Sequence, residues 1–178
     1  MNNMITNKDV SVLELSQSKK VMMVFLRHFG CTFCREAMSD LFELREKIID
    51  SNTELVIVHQ LPESAGAQFL ELYGLGNVHR ISDPGKHLYD YFELKRGKAF
   101  QMFGPKVIAR AIWAGLFKGH LVGPERGDGW QMPGVFIIYK GKVINSFVHK
   151  LSSDKPDYVA LASTPAKANI LAPRVQLT

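Results

Sequence analysis

Residues 21–26, Val-Met-Met-Val-Phe-Leu, form a continuous apolar run that leads within a few residues to Cys31-Thr32-Phe33-Cys34, and from that cysteine pair onward apolar residues recur at helical spacing. A short, wholly apolar run is what a strand buried on both faces shows. It ends at Gly30. After Cys34 the apolar residues Ala37, Met38, Leu41, Leu44 and Ile48 fall at steps of three and four. Arg35, Glu36, Asp40, Glu43, Arg45, Glu46 and Lys47 fill most of the other positions. The spacing predicts an amphipathic helix whose first turn holds the cysteine pair and whose charged residues face water. A second apolar run, 55–58, follows a short polar loop at 50–53. Strand, helix and strand within roughly 40 residues describe a parallel crossover unit, right-handed by default.

The rest of the chain extends this unit. Ser64 can cap a helix through Phe69 and Tyr73 that Gly74 stops. Residues 78–81 suit a short strand. Asp83-Pro84 suits the cap and first turn of a helix carrying Leu88, Tyr89, Phe92 and Leu94. Pro105 can open another helix carrying Val107, Ile108, Ala111, Ile112 and Leu116, closed by Gly119. Residues 119–134, with five glycines and two prolines, read as a long surface loop. Residues 135–139 and 143–148, joined at Lys140-Gly141, predict a β-hairpin. A last helix is expected over 156–162, with Pro165 beyond it. Residues 1–18 are polar with weak alternation and promise at most a short edge element. The elements add up to an α/β fold, a mixed sheet sandwiched by helices.

At 178 residues the chain is the size of one domain and large enough for a core without staples. With 46% hydrophobic and 22% charged residues it has a globular composition, which excludes collagen, coiled coil and extended disorder. No apolar run approaches the about 20 residues of a membrane-spanning helix. The N-terminus lacks the succession of regions that marks a signal peptide, so a cytoplasmic location is expected. The net charge of +5 comes from scattered lysines and arginines without aromatic interleaving. It suits a solvated face with modest steering of anions, and no nucleic-acid partner is expected.

Two cysteines cannot staple a secreted scaffold, but as a Cys-x-x-Cys pair at a strand-to-helix junction they point to redox chemistry. A helix N-terminus and cationic neighbours lower a thiol's pKa, and Arg27, His28 and Arg35 flank the pair. The spacing lets the sulfurs close a disulfide, one attacking and the other resolving the mixed disulfide. Cys31 is expected at the exposed edge of the junction as the attacker. Cys34, on the stripe with Ala37, Met38 and Leu41, is expected to be the more buried resolver. Two alternatives stay open. The cysteines could be inert core residues, or zinc ligands with His28 as a third, although His59, His79, His87, His120 and His149 supply no paired spacing for a fourth. Arg126, in the glycine-rich loop, could swing over the site. Neither Gly74-Leu75-Gly76 nor Gly104-Pro105-Lys106 completes a phosphate-binding motif, so no bound nucleotide is expected.

The segment Phe25-Leu26-Arg27-His28-Phe29-Gly30-Cys31-Thr32-Phe33-Cys34-Arg35-Glu36 resembles the active-site segment of the peroxiredoxin-like 2 group of the AhpC/TSA superfamily, which includes SelL-related redox proteins and prostamide/prostaglandin F synthases. Similar likenesses run through Leu75-Gly76, Ser82-Asp83-Pro84-Gly85, Gly127-Asp128-Gly129-Trp130-Gln131 with Gly134-Val135-Phe136, and Ser153-Asp154-Lys155-Pro156-Asp157-Tyr158. The resemblance covers about 21–158. It implies a thioredoxin-like three-layer sandwich, with Cys31 and Cys34 as the redox centre of a thiol-dependent reductase or antioxidant protein. Peroxiredoxins proper have Pro-x-x-x-Thr/Ser-x-x-Cys, whereas here Cys31 takes the Thr/Ser position and no proline precedes it; by this resemblance Cys34 stands where their peroxide-reactive cysteine does, the alternative to attack by Cys31. Pro133 stands where thioredoxin-fold proteins place a proline, which can be cis, facing the cysteine pair.

The expected organisation is an N-terminal extension (1–20), a redox domain (21–163) and a C-terminal tail (164–178). The expected function is a thiol-disulfide oxidoreductase without a bound cofactor, which draws electrons from a thioredoxin or glutathione system and ultimately NADPH. It would reduce a peroxide, a lipid endoperoxide or a protein disulfide. The rival is a non-catalytic redox sensor whose disulfide reshapes the 119–134 loop and alters partner binding.

Overall fold

The computed structural model describes residues 4–118 and 127–166. Strands β1 (Lys20–Phe25), β2 (Thr53–His59), β3 (His79–Ser82), β4 (Gly134–Tyr139) and β5 (Lys142–Val148) form one sheet in the order β3-β2-β1-β4-β5. β1 and β2 run parallel with Val24 opposite Ile57, and β2 and β3 run parallel. β4 is antiparallel to both β1 and β5. The expected crossover and hairpin are thus joined in one mixed sheet.

Alternation along the central strand builds two cores. Met22, Val24 and Leu26 face one way, toward α2 (Thr32–Asp50), α3 (Glu63–Glu71) and α7 (Tyr158–Ala162), and pack with Met38, Leu41, Leu70, Tyr158 and Leu161. Val21, Met23 and Phe25 face the other way and pack with Val12 of α1 (Val12–Ser18), Tyr89 of α4 (His87–Tyr91), Phe92 and Phe136. A strand apolar on both faces therefore sits between helical layers, each fully buried side chain contributing roughly 1.5–3 kcal/mol. Lys140 (φ 49°) and Gly141 (φ 70°) make the hairpin's tight turn. Ser16 holds this turn by accepting from the N–H groups of both residues.

Several local expectations change. The N-terminal segment adds a helix, α1, capped by Ser11, where at most an edge element was expected. Asn7 takes over part of the edge role: its N–H donates to the Arg80 carbonyl (2.9 Å) and its Oδ1 accepts from the Arg80 N–H (2.8 Å). Pro62, not Ser64, precedes α3. Pro84 does not open α4. Residues 83–86 form a turn with Lys86 at φ 58°, and the Asp83 carboxylate reaches across it to accept from the N–H groups of His87 and Leu88 (3.0 and 2.8 Å). Helix α5 (Ala99–Phe103), for which no pattern was seen, precedes α6 (Pro105–Lys118). α7 is shorter than expected and capped by Asp157. The described end of the 119–134 loop is not a surface loop: Gln131, Met132 and Pro133 are buried, and the Met132 N–H donates to the Lys95 carbonyl (3.2 Å).

Candidate active site

The C-terminal end of β1 positions the site. Leu26 continues the pairing by donating its N–H to the Val58 carbonyl, and the buried Tyr89 hydroxyl donates to the carbonyls of Leu26 (2.5 Å) and Val58 (3.2 Å). The chain then turns, with the Cys31 N–H donating to the His28 carbonyl (3.1 Å), and enters α2 with Cys31 as its N-cap residue. Since β4 begins with Gly134 opposite Phe25, Pro133 lines one cavity with both cysteines. No described peptide bond is cis, so the bond to Pro133 is trans.

Both thiols are free and both are buried, Cys31 6% and Cys34 4% exposed. Cys31 is therefore not at an exposed edge, and the two thiols hardly differ in exposure. Charge and hydrogen bonding separate the two instead. The Cys34 S–H donating to the Cys31 sulfur does most to lower the Cys31 pKa. Burial opposes this, while the Arg27 guanidinium and the backbone N–H groups of Cys34 and Phe33 lower it further, from 9.0 to about 6. The same hydrogen bond, burial and the charge on Cys31 push the Cys34 thiol well above its ordinary range. This is the separation an attacking thiolate and a protonated partner need.

Arg27 is buried and fixed. Its Nη1 donates to Cys31 Sγ (3.5 Å) and its Nε to the Gly129 carbonyl (2.6 Å). Gln60, at the end of β2, donates to the Arg27 carbonyl and accepts from the Asp128 N–H (2.6 Å). One amide side chain thus ties Arg27 to the 127–130 segment. Arg35 turns elsewhere, donating to the Phe29 carbonyl (3.3 Å) and lying over the Phe69 ring. His28 is buried and lines, with Arg27 and Cys31, an open groove of about 350 Å³ walled by Phe33, Phe103, Ile108 and Trp130. Arg126 lies outside the described residues. Among the described residues no three His, Cys, Asp or Glu side chains gather as a metal site.

Sequence reasoning missed two parts of this site. Glu36, expected on a solvated face, is buried at 3% exposure because α6 covers it, and both its oxygens accept from Arg110 Nη2 (3.0 and 2.8 Å). Lys155 adds a longer pairing at 3.7 Å and reaches Asp40 at 2.7 Å. Gln60 carried no motif, and only its place after an apolar strand marked it.

The sequence pattern of the AhpC/TSA antioxidant enzyme family matches residues 40–150, more than half of the chain, beginning on α2 just beyond the cysteine pair. Among curated relatives, Peroxiredoxin-like 2C of Bos taurus is 27% identical over 149 residues, covering 76% of this chain and 62% of that protein. The chain therefore spans about three fifths of the length of the Peroxiredoxin-like 2C proteins it matches. Prostamide/prostaglandin F synthase of Xenopus tropicalis is 29% identical over 168 residues, covering 90% of this chain and 80% of that protein. Among solved structures, Peroxiredoxin Q of Xanthomonas campestris superposes with a TM-score of 0.61 at 12% identity, covering 89% of this chain and 85% of that one. Peroxidoxin BcpB of Mycobacterium tuberculosis superposes with a TM-score of 0.57 at 17% identity, covering 89% and 86%. These structural likenesses bear on the fold, and together with the sequence match they make the chain a member of the AhpC/TSA antioxidant enzyme family with a thioredoxin-like fold.

Proposed function

We propose that this protein is a thiol-dependent oxidoreductase in which Cys31 attacks and Cys34 resolves. The observation that carries the reading is the buried Arg27 donating to Cys31 Sγ (3.5 Å) while Cys34 lies in the more enclosed cavity beside it, and in line with this Cys31 is lowered to about 6 and Cys34 is raised. At neutral pH the Cys31 thiolate attacks an O–O or S–S bond, giving a sulfenic acid plus an alcohol or water from a hydroperoxide or hydrogen peroxide, a sulfenate ester whose second oxygen takes up a proton from an endoperoxide, or a mixed disulfide plus a thiolate from a disulfide. Cys34 then attacks the Cys31 sulfur, the intramolecular disulfide forms, and water, the alcohol of the sulfenate ester or the second thiol leaves. An external thioredoxin-type or glutathione-dependent reductant, drawing on NADPH, returns the pair to dithiol, and no bound cofactor takes part. This cycle suits a reducing compartment such as the cytoplasm.

The groove beside Cys31 is apolar and open, which favours an organic hydroperoxide or endoperoxide, or an apolar segment carrying a disulfide. The names of the relatives, peroxiredoxin-like and prostaglandin F synthase, support the same range. The test is an acceptor screen with thioredoxin and its NADPH-dependent reductase, run on hydrogen peroxide, an alkyl hydroperoxide, an endoperoxide and a model protein disulfide. Turnover is expected with at least one apolar acceptor. Cys31→Ser should abolish it, and Cys34→Ser should trap a mixed disulfide. Trapping by Cys31→Ser with an inert Cys34→Ser would reverse the assignment. The redox-sensor reading draws on the Arg27 to Gly129 hydrogen bond, which links the cysteine pair to the 127–130 segment. Stoichiometric oxidation without turnover would favour it.

A further inference from the structure

Cys34 does not line the substrate groove. It lines a second, more enclosed cavity of about 30 Å³ that shares Cys31 with the groove and is walled further by Glu36, Pro133, His149, Ser152 and Tyr158. If Cys34 is the resolving thiol, its proton must leave before or as it attacks, and the groove offers no way out. The cavity wall contains several charged groups, most of them already engaged. On α2, Glu36 is held by Arg110 and Asp40 by Lys155. In the loop before α7, Asp154 Oδ2 accepts from the N–H groups of Lys150 and Leu151 (2.8 and 2.9 Å). On α7, Tyr158 is buried and its hydroxyl is pushed to a higher pKa by burial. From the β1 end, Arg27 is committed to Gly129 and Cys31.

Two polar atoms of this wall are buried without a partner in good hydrogen-bond geometry, His149 Nδ1 and Ser152 Oγ, although the backbone carbonyls of Pro133 and Asp154 lie near the His149 ring. Ser152 as a whole is 2% exposed. A buried hydroxyl and a buried ring nitrogen left unpaired are costly, and in native proteins such atoms mark a small polar ligand. The space fits one water, for which roughly 10–15 Å³ suffices, and the two atoms with Cys34 supply the polar partners such a water needs. His149 as a residue is only partly buried, although its Nδ1 is buried. Burial lowers its pKa and outweighs the Asp154 carboxylate and the Pro133 and Asp154 carbonyls, which act to raise it, so the ring is neutral at pH 7.

We propose that Ser152 and His149 hold a water against Cys34 Sγ and that this water and the imidazole carry away the Cys34 proton during the resolving step. The proposal rests on Cys31 being the attacker and Cys34 the resolver. As Cys34 attacks, its S–H bond breaks and that electron pair forms the bond to Cys31 Sγ. The bond from Cys31 Sγ to the substrate thiol breaks, and that thiol leaves as thiolate. The proton passes to the water, the water gives one to His149 Nδ1, and the imidazolium releases a proton to solvent from its other nitrogen. In this scheme Ser152 is a positioning residue that holds the water, and His149 accepts the proton through that water.

The experiment follows the full-length reduced protein with 5,5′-dithiobis(2-nitrobenzoate) in stopped flow. The first thionitrobenzoate released reports attack by Cys31, and the second, unimolecular, reports resolution by Cys34. Ser152→Ala and His149→Gln are expected to lower the ratio of the second to the first rate about tenfold at pH 7. The second phase of His149→Gln should also lose its pH plateau and rise with hydroxide concentration. Ser152→Thr, which keeps the hydroxyl, should restore the ratio. An unchanged ratio in Ser152→Ala, which removes a single atom and is compatible with folding, overturns the proposal, as does an equal fall in Ser152→Thr. Loss of the first phase in Cys34→Ser, rather than in Cys31→Ser, would instead overturn the assignment of attacker and resolver.

Discussion

Replacing Arg27 by glutamine removes the cation nearest Cys31, and the structure allows the effect to be sized. A unit charge 3.5 Å from a thiolate is worth at most about 5 kcal/mol at an effective dielectric of about 20. Yet the Cys34 hydrogen bond comes first among the causes of the lowering from 9.0 to about 6, and Arg27 acts alongside two backbone N–H groups. Its share is therefore ~1 pKa unit, at the low end of the ~1–3 units an adjacent opposite charge produces. The Cys31 midpoint should move from about 6 to ~7. A less acidic thiol is also a better nucleophile, by ~0.4–0.5 log units per pKa unit. The two effects oppose each other differently along the pH scale. Iodoacetamide should alkylate Cys31 of Arg27→Gln about threefold more slowly than wild type near pH 5 and about threefold faster near pH 8. Alkylation timed by mass mapping of the Cys31 peptide over this range measures the crossover. Arg27→Lys, which keeps the charge while losing the fork, should follow wild type. An unmoved midpoint in Arg27→Gln, or one moved equally by Arg27→Lys, would refute the electrostatic account and leave the tether to Gly129 as what Arg27 supplies.

Three other perturbations test the scaffold. Glu36→Gln leaves Arg110 facing a neutral amide beneath α6. Because Arg110 is partly exposed the cost should be ~2 kcal/mol, short of a fully buried pair, lowering Tm by about 5 °C in thermal unfolding; an unchanged Tm would show that the pair adds nothing. Gly66→Ala would place a methyl 2.2 Å from the buried His59 ring, so overpacking of ~1–3 kcal/mol should exceed the ~1 kcal/mol gained in helix propensity; denaturant titration showing a net gain would contradict this. Burial holds His59, His79 and His149 below the ordinary histidine value of 6.5, His149 at about 4. The unfolded chain then binds protons the folded one refuses, so stability is full above pH 6.5 and falls as pH drops from 6.5 toward 4. Urea midpoints at pH 7, 6 and 5 should decline in that order and decline less in His149→Gln, and a flat series would count against the burial argument.

How much was legible in the sequence follows from the range of the forces involved. The β1 to α2 to β2 unit, the hairpin and α6 declare themselves by local periodicity, and they form as expected. The Cys31 and Cys34 pair was visible because its chemistry depends on spacing within one turn. What could not be read was long-range. Arg27 was suspected for its charge, but its aim is set by Gly129, 102 residues away. Glu36 looked like solvated helix surface until Arg110, 74 residues on, covered it. The contrast in exposure assigned to the two cysteines, 6% against 4%, is nearly absent because exposure is set by tertiary packing that local spacing does not describe. His149 and Ser152 had no pattern at all, because a cavity wall is assembled from several elements and leaves no periodicity in any of them.

The engagement of Asn7 with both backbone groups of Arg80 bears on how copies of this protein behave toward one another. β3 is the outermost strand on its side of the sheet, and an outermost strand with free amide and carbonyl groups is a template on which another chain can add. Here Asn7 supplies an N–H from its backbone and an acceptor from its side chain, so the exposed hydrogen-bonding pair at Arg80 is already satisfied from within. Thr6 Oγ1 bonds His79 Nδ1 (3.0 Å) and fixes the arm beside it. The segment ahead of α1 thus works as a guard against edge-to-edge aggregation, and the sheet's solubility on that side depends on residues that take no part in its chemistry.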